Sequence, residues 1–462
     1  MHRLSLGTLV AALMATLPLP ALADEPAGTF TLEEVLERAG DSALVRIADA
    51  ELNVATTRER EARALRLPDF RARLTVSPAP EVRLDDPNDP FSNQDSDAEL
   101  LSSIFGGGAS LRGELRTTIP LSTFGKVRLA RQLASAGVDA AAIEREASVR
   151  ESQFEAYRAY LGVQVHVVLE DLLAEADNRL ARATELLEVA LDDGDRSART
   201  SLRQLTIANA SLVEQRAAAD RSGRVARAGL VEALALPHDF EVTAFDTTAP
   251  EAQAPELSEL IDFALEQRTD LRMLRVANEA AALETELRWR QLTPDLFFSA
   301  RLNGAFSPSV DDVSGPFVYD NFNRFGFGFA VGLNWDMNPF VVSTRARRAA
   351  AQSSLVDAQQ SAAETAVVLD VVDAYEEARS TLDIARAYDE ALRASRAWLQ
   401  QRWFQFDQGL ADYDDIKDPL QAYYATAAAY HVALVDHRLA VANLALKTGH
   451  RDLTSWPAPG AE

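Results

Sequence analysis

An internal repeat constrains the fold of this chain more than any single motif does. Each half of the chain begins with a short amphipathic helix pattern, with Thr31 or Ser258 at its N-cap position. A second helical pattern follows in each half, over 41–67 and 269–292. Both patterns stop at a proline, because proline removes a hydrogen bond from a helix. The two prolines are Pro68 and Pro294. The same order of elements, found twice, predicts two structural repeats.

The N-terminal segment is typical of an export signal. It has a short polar start, an apolar stretch and small residues at Ala21 and Ala23, where cleavage would occur. No later stretch reaches the roughly 18 apolar residues of a transmembrane helix. We therefore predict a signal peptide over 1–23, a first repeat over 24–255, a second repeat over 256–450 and a short C-terminal tail over 451–462.

Beyond each proline the hydrophobic period falls from about 3.6 residues to 2, which is typical of β-strands. We predict strands over about 69–77, 110–119, 295–305 and 325–337. The last has the clearest pattern, since apolar and aromatic residues from Phe325 to Met337 alternate with glycine and small or polar residues. One face of this strand is therefore apolar and the other is small or polar.

A very long helical pattern follows each pair of strands. No proline occurs over 125–192 or over 343–408, and 68 helical residues would extend roughly 100 Å. Turn residues near 193–197 and 409–414 predict the tips of two helical hairpins. The last helix carries an apolar seam with steps of four and three, which indicates coiled-coil packing. The seam consists of Ile416, Leu420, Tyr423, Ala427, Tyr430, Leu434, His437, Val441, Leu444 and Thr448.

Composition excludes several classes of function. The chain has 46 Lys plus Arg against 70 Asp plus Glu, a net charge of −24, so it is a poor candidate for binding nucleic acid. It has no cysteine, which excludes thiol catalysis and cysteine-ligated metals. No hydrolase, nucleotide-binding or zinc-protease motif occurs. We predict that the chain is not an enzyme and has no cofactor and no metal site.

The acidic segment 85–99 lacks EF-hand spacing and is interpreted as a solvated loop, although ion binding there stays open.

An export signal, strands with one apolar face and no membrane-spanning helix together predict an outer-membrane β-barrel. Backbone groups in lipid must all be paired, so the sheet has to close. Four strands are too few, because the smallest barrels have about eight. Two chains would supply eight strands and three would supply twelve, and the pattern does not choose between them. Long helices below such a barrel predict a tunnel.

This arrangement resembles the TolC-like outer-membrane efflux protein family over nearly all of the chain after residue 23. The most specific segment is Gly409 to Leu420, which resembles the tip turn of the family and the acidic stretch after it. The resemblance implies a mainly α fold with a β part. Three protomers would share a twelve-stranded β-barrel in the outer membrane, and an α-helical coiled-coil barrel would extend into the periplasm.

The resemblance also implies roles for residues at the tips. Aspartates six and nine residues after the turn glycine form constricting rings in the family, and here they are Asp415 and Asp418. An alternative interpretation is that these acids only stabilise the start of a helix. The chain departs from the latch that closes the family's tip, since Phe406, Ala411 and Thr200 replace a tyrosine, an arginine and an acid.

The function implied is a passive export duct of a tripartite efflux or type I secretion system. Its partners would be a periplasmic adaptor, an inner-membrane pump of the RND, ABC or MFS type and outer-membrane lipid. The expected adaptor contacts are Asp193, Gly194, Asp195, Arg196, Ser197, Gly409, Leu410, Ala411 and Asp412. We expect Phe325, Trp335 and Phe340 at the membrane interface, with burial in a core as the alternative. The alternative function is an extended periplasmic or surface coiled-coil protein with a structural or adaptor role.

Overall fold

The computed structural model describes residues 28–79, 108–249, 254–312 and 320–457. The predicted signal peptide over 1–23, the acidic segment 85–99 and the end of the predicted tail lie outside the described residues.

Helices make up most of the described chain, and four longer strands accompany two very short ones. The helices are α1 (Leu32–Ala39), α2 (Ala43–Ala64), α3 (Lys126–Asp192), α4 (Ala198–Leu234), α5 (Leu257–Gln267), α6 (Thr269–Arg290), α7 (Pro339–Asp407) and α8 (Tyr413–Thr448). The strands are β1 (Thr29–Phe30), β2 (Asp69–Ala79), β3 (Gly108–Ser122), β4 (Glu241–Val242), β5 (Asp295–Phe306) and β6 (Arg324–Asn334). Within these described elements no helix is both long enough and apolar enough to span a membrane.

The chain divides into two compact units, and each unit takes segments from both halves of the sequence. The first contains the chain up to Ile47, Glu146–Arg268 and the chain from Ala366 onward. The second contains Ala48–Arg145 and Thr269–Thr365. Both helical tips therefore belong to the first unit, and the four-stranded sheet belongs to the second.

The sheet of the second unit is antiparallel, with the strand order β2–β3–β5–β6. Its central pair joins the two repeats, because Leu115 of β3 lies opposite Leu302 of β5. On the outer strands, Ala72 lies opposite Leu115 and Phe327 lies opposite Leu302. Since side chains alternate between the faces of a strand, this register places the apolar sets of all four strands on one face.

The predicted seam of the last helix is confirmed in the first unit. All ten seam residues from Ile416 to Thr448 are buried in α8. The helix begins at the N-cap Asp412 and ends at Gly449, which has the left-handed φ of 88° that glycine tolerates best. Steps of three and four residues keep one side of a helix facing its neighbours, so the sequence alone identified one buried face of α8.

The end of the first predicted repeat carries a short strand that pairs with the beginning of the same repeat. Thr29–Phe30 pairs in parallel with Glu241–Val242, and Phe240 next to this pair is fully buried. The hydroxyl of Tyr160 donates to the Phe30 carbonyl at 3.1 Å. The pattern did not predict these strands, since two residues are too few to show a period.

Strand β6 is shorter than the pattern predicts, because it ends at Asn334 and not at residue 337. The indole NH of Trp335 donates to the Leu292 carbonyl at 2.9 Å, which anchors the chain as it leaves the sheet. Pro339 then begins α7, and the Asn338 carbonyl accepts the first helical hydrogen bond from Val342 at 3.0 Å. The alternation therefore continues in the sequence for three residues beyond the strand.

Candidate functional site: the helical tips and the sheet faces

The first helical tip is a tight turn between α3 and α4. Gly194 has a φ of 99°, and the Asp195 amide donates to the Ala190 carbonyl at 2.9 Å. The amide and hydroxyl of Ser197 donate to the Asp195 carboxylate at 2.8 and 2.7 Å. The Ser197 hydroxyl bond is the main cause of the lowered pKa of Asp195. The exposed tip residues are Asp193, Gly194, Asp195, Arg196 and Ser197. The tip therefore presents an ionised carboxylate in a fixed turn.

The second tip connects α7 to α8 in a similar way. Gly409 has a φ of 70°, and the Leu410 amide donates to the Gln405 carbonyl at 2.8 Å. Leu410 is 78% exposed, which is unusual for a leucine, and Ala411 beside it is half-buried. Asp412 is exposed and caps α8. An apolar side chain therefore projects from the tip next to an acidic helix start.

The aspartates predicted to form constricting rings, here called the neck, are Asp415 and Asp418, and both lie on the exposed side of α8. The Asp412 amide donates to the Asp415 carboxylate at 3.1 Å, so Asp415 also stabilises the first turn of the helix. Asp418 is exposed one turn further along. Residues three apart on a helix share a face, so both carboxylates point to the same side of α8. Asp415 therefore makes the helix-start contact that the alternative interpretation expects, and its side chain is still exposed.

Phe406, one of the predicted latch positions, is buried in an apolar cluster that joins the two hairpins. It is 6% exposed and shares this cluster, here called the tip core, with Ile416 and Tyr413 of α8. The other buried members are Ala183, Leu187, Ala198 and Leu205, and Ala411 packs at the edge. Thr200 is exposed on α4. Within one chain, packing at Phe406 and Ala411 therefore helps to hold the two hairpins together near their tips, whereas Thr200 takes no part in it.

Ion pairs surround the tip core. Arg182 of α3 lies 2.8 Å from Glu185 and 3.6 Å from Asp407, so it links α3 to the end of α7. Lys417 donates to the Asp414 carboxylate at 2.9 Å, and this bond holds the pKa of Asp414 below its usual value. These side chains are largely exposed, so solvent screens each pair and its contribution to the stability of the tip is small. The burial of apolar side chains in the tip core contributes more to the stability of the tip than these ion pairs do.

The apolar face of the sheet is exposed to an unusual degree. On β6, Phe325, Phe327 and Phe329 are 75%, 78% and 76% exposed. The further exposed members are Phe70, Leu74, Val76, Leu111, Leu115, Leu302, Phe306, Val331 and Leu333. An apolar face of this extent marks contact with another apolar phase, because monomeric soluble proteins rarely leave such a patch uncovered.

The predicted interface aromatics lie at the ends of this face. Phe325 is near the beginning of β6, and Trp335 follows the end of the strand. Phe340 lies in the first turn of α7 and is 84% exposed, and Trp335 is 53% exposed. None of the three is buried in a core of the described chain.

The opposite face of the sheet is polar, and its arginines were overlooked in the sequence. Arg71, Arg116 and Arg301 line a concavity of about 1120 Å³ on this side. Beside the sheet, Lys126 donates to the Thr293 carbonyl at 2.7 Å and to Asp295 at 2.9 Å. The sequence contains this signal in the first two predicted strands, because Arg71 and Arg73 lie two residues apart and Arg112 and Arg116 lie four apart, which places each pair on one face.

One group of described residues could offer three ligands to a metal ion. His166 and Glu170 lie one turn apart on α3, Asp220 lies on α4, and their ligand atoms lie within 4.8 Å of one another. Gly223 leaves room for the imidazole, since a Cβ there would lie 2.1 Å from His166 Cγ. The sequence did not predict this group, because Asp220 is 54 residues from His166 in the chain.

Comparisons with known proteins give matches in structure only. No protein-family profile matches the chain, and no curated protein does. Among solved structures, the CusC transmembrane channel has a TM-score of 0.72 at 15% identity, over 91% of this chain and 92% of that one. The outer membrane protein VceC of Vibrio cholerae has a TM-score of 0.67 at 18% identity, over 91% and 96%. The outer membrane channel MtrE of Neisseria gonorrhoeae has a TM-score of 0.69 at 17% identity, over 91% and 89%.

These likenesses extend over nearly the whole of each chain. They confirm the fold that the sequence resemblance implied, in which long helical hairpins are joined to a four-stranded sheet. The fold is therefore that of TolC-like channels.

Proposed function

We propose that the chain is one subunit of a passive outer-membrane channel that exports solutes across the periplasm and the outer membrane. The observation that carries this proposal is the exposed apolar face of the sheet, with Phe325, Phe327 and Phe329 each at least 75% exposed. Lipid is the phase that such a face requires. A structural or adaptor coiled coil in the periplasm would have no partner for it.

The free edges of the sheet call for further copies of the chain. Among the described strands, β2 and β6 each pair with one neighbour. In the hydrocarbon of a membrane every backbone polar group must be paired, so each edge needs another strand. We propose that three copies join β2 to β6 edge by edge and close a barrel of twelve strands, as the resemblance to the TolC-like family implies.

The spacing of the interface aromatics supports this placement. Trp335 lies ten positions after Phe325, which corresponds to about 33 Å along an extended strand. Strands of such barrels tilt by about 40°, which reduces the span to about 25 Å. This is about the height of the apolar band of an outer-membrane barrel, with aromatic residues at both edges.

The helical tips are proposed to dock a periplasmic adaptor, and an inner-membrane pump of the RND, ABC or MFS type would supply the energy. The exposed Leu410 at the second tip and the ordered carboxylate of Asp195 at the first offer one apolar and one anionic contact. The turns at Gly194 and Gly409 hold these contacts in place. The chain has no nucleotide-binding motif, so the energy has to come from a partner.

The channel proposal is tested with protein extracted from membranes in detergent. We expect native mass spectrometry to give three chains per particle, and a planar bilayer to show discrete conductance steps. A chain that purifies as a soluble monomer without detergent would reject the proposal.

The double substitution Asp415→Asn and Asp418→Asn tests the proposed neck. Three copies would bring six carboxylates together, and rings of carboxylates concentrate cations and repel anions. We expect a cation-to-anion permeability ratio lower by about threefold, measured from the reversal potential in a KCl gradient. Asparagine keeps an acceptor for the Asp412 amide, so the start of α8 should be retained.

The matched control is Asp192→Asn with Asp193→Asn at the first tip. It removes the same charge, and both positions are exposed. We expect little change in selectivity from this variant. An equal effect of the two double variants would show that total charge matters and that Asp415 and Asp418 form no neck.

A further inference from the structure

The polar face of the sheet carries a dense set of arginines. Six lie on this face in the described strands, namely Arg71 and Arg73 of β2, Arg112 and Arg116 of β3, Arg301 of β5 and Arg324 of β6. The register confirms the shared face, because Arg116 lies opposite both Arg71 and Arg301. Arg112 lies opposite Ala305, and Ala305 lies opposite Arg324. All four strands therefore contribute cations to one surface.

Carboxylates on the same face are fewer. The described strands place three there, Asp69, Glu114 and Asp295. Glu114 is shared between Arg116 at 3.0 Å and Arg301 at 3.1 Å. Asp69 pairs with Arg71 at 2.9 Å, and Asp295 pairs with Lys126 at 2.9 Å. The six strand arginines thus exceed the carboxylates by three, in a chain whose net charge is −24.

The glycines of β6 keep this surface open. Gly326 and Gly328 lie opposite Asn303 and Arg301, so no side chain of β6 stands beside either residue. A Cβ at Gly328 would meet nothing within 4 Å. Gly332 differs, since a Cβ there would lie 2.8 Å from the Phe297 ring. The guanidinium of Arg301 therefore borders free space in the concavity that Arg71 and Arg116 also line.

We propose that this polar face is an anion-attracting wall that favours the passage of small anionic solutes through the barrel. The inference rests on the proposed channel, because only a closed barrel turns this face into a lumen. Three copies would give eighteen strand arginines against nine carboxylates. Charged rings in a pore raise the local concentration of the opposite ion, and low-dielectric walls strengthen the effect. The barrel would therefore oppose the cation preference of the proposed neck.

The test substitutes Arg71→Gln, Arg73→Gln and Arg116→Gln together. This removes the excess of three positive charges per chain and leaves Glu114 paired with Arg301. Reversal potentials are measured in a KCl gradient, with K⁺ and Cl⁻ as the only probes. We expect the chloride-to-potassium permeability ratio to fall by about threefold relative to the unmodified channel.

The matched control substitutes Arg58→Gln, Arg60→Gln and Arg66→Gln. These arginines are exposed, lie in or just after α2 and outside the sheet, and carry the same total charge. We expect this variant to keep the permeability ratio of the unmodified channel.

Two results would overturn the inference, and they differ from failure of the channel itself. If the strand variant conducts with an unchanged ratio, or if the control shifts the ratio equally, the arginine wall sets no selectivity while the channel stands. If the unmodified protein gives no conductance at all, the proposed channel falls and the inference falls with it.

Discussion

A Phe329→Arg protein is expected to be lost from the outer membrane, because the substitution places a charge on the lipid side of the proposed barrel. Phe329 is the central residue of β6, lies opposite Ala300 and is 76% exposed. An arginine facing lipid at the midplane of such a barrel costs about 2–4 kcal/mol per chain. In a trimer the substitution would be present three times, so this cost would arise three times per barrel. The measurement is the amount of heat-resistant oligomer in outer-membrane fractions, which we expect to fall at least tenfold.

The adjacent substitution Gly328→Arg is the matched control. It adds the same side chain to the same strand, but on the opposite face, where a Cβ meets nothing within 4 Å. We expect this protein to assemble in normal amounts, because its arginine joins the polar surface. If both variants assembled equally well, the apolar face would not contact lipid, and the barrel would have to be abandoned.

The sequence predicted elements whose pattern is long enough to show a period. The seam from Ile416 to Thr448 needs only local spacing, and the structure buries all of it. The prolines Pro68 and Pro294 marked the change from helix to strand, since β2 begins at Asp69 and β5 at Asp295. In both cases the deciding physical effect acts between neighbours in the chain.

Features that depend on distant contacts could not be predicted in this way. The pairing of Thr29 with Glu241 joins residues 212 apart, and each strand has only two residues. Phe406 is buried in a cluster that also contains Leu205 from the other hairpin, and no spacing within α7 indicates that the two hairpins pack together there. The Trp335 indole bond to Leu292 likewise depends on where the chain leaves the sheet.

The sequence located the two turns at the helical tips, whereas the roles of the residues in them stay predictions. The turns at Gly194 and Gly409 were identified because left-handed backbone favours glycine. The sequence is compatible with Asp415 as either a neck residue or a helix-start acid, whereas the structure gives it the helix-start contact and leaves its carboxylate exposed. Whether such charges converge depends on neighbouring copies, which a single sequence does not describe.

A Phe406→Ala protein is expected to have a loosened tip. Phe406 is 6% exposed and contacts residues of both hairpins, so its removal leaves a cavity in the tip core. Truncation of a buried phenylalanine costs about 3–5 kcal/mol. Because the tip core lies at one end of the hairpins, we expect the loss as local opening there. Hydrogen exchange should accelerate at least about a hundredfold in the peptides 183–205 and 406–416, and should stay unchanged around α1.

Phe404→Ala provides the control for this experiment. Phe404 lies two residues earlier on α7, is 66% exposed and belongs to the same residue type. An exposed side chain contributes little to stability, typically within 0.5 kcal/mol, so we expect exchange at the tip to remain as in the unmodified protein. Single-channel recordings add a functional readout, because a looser tip should raise the open probability in Phe406→Ala alone. Unchanged exchange in Phe406→Ala, or equal acceleration in both variants, would show that the tip core does not hold the hairpins together.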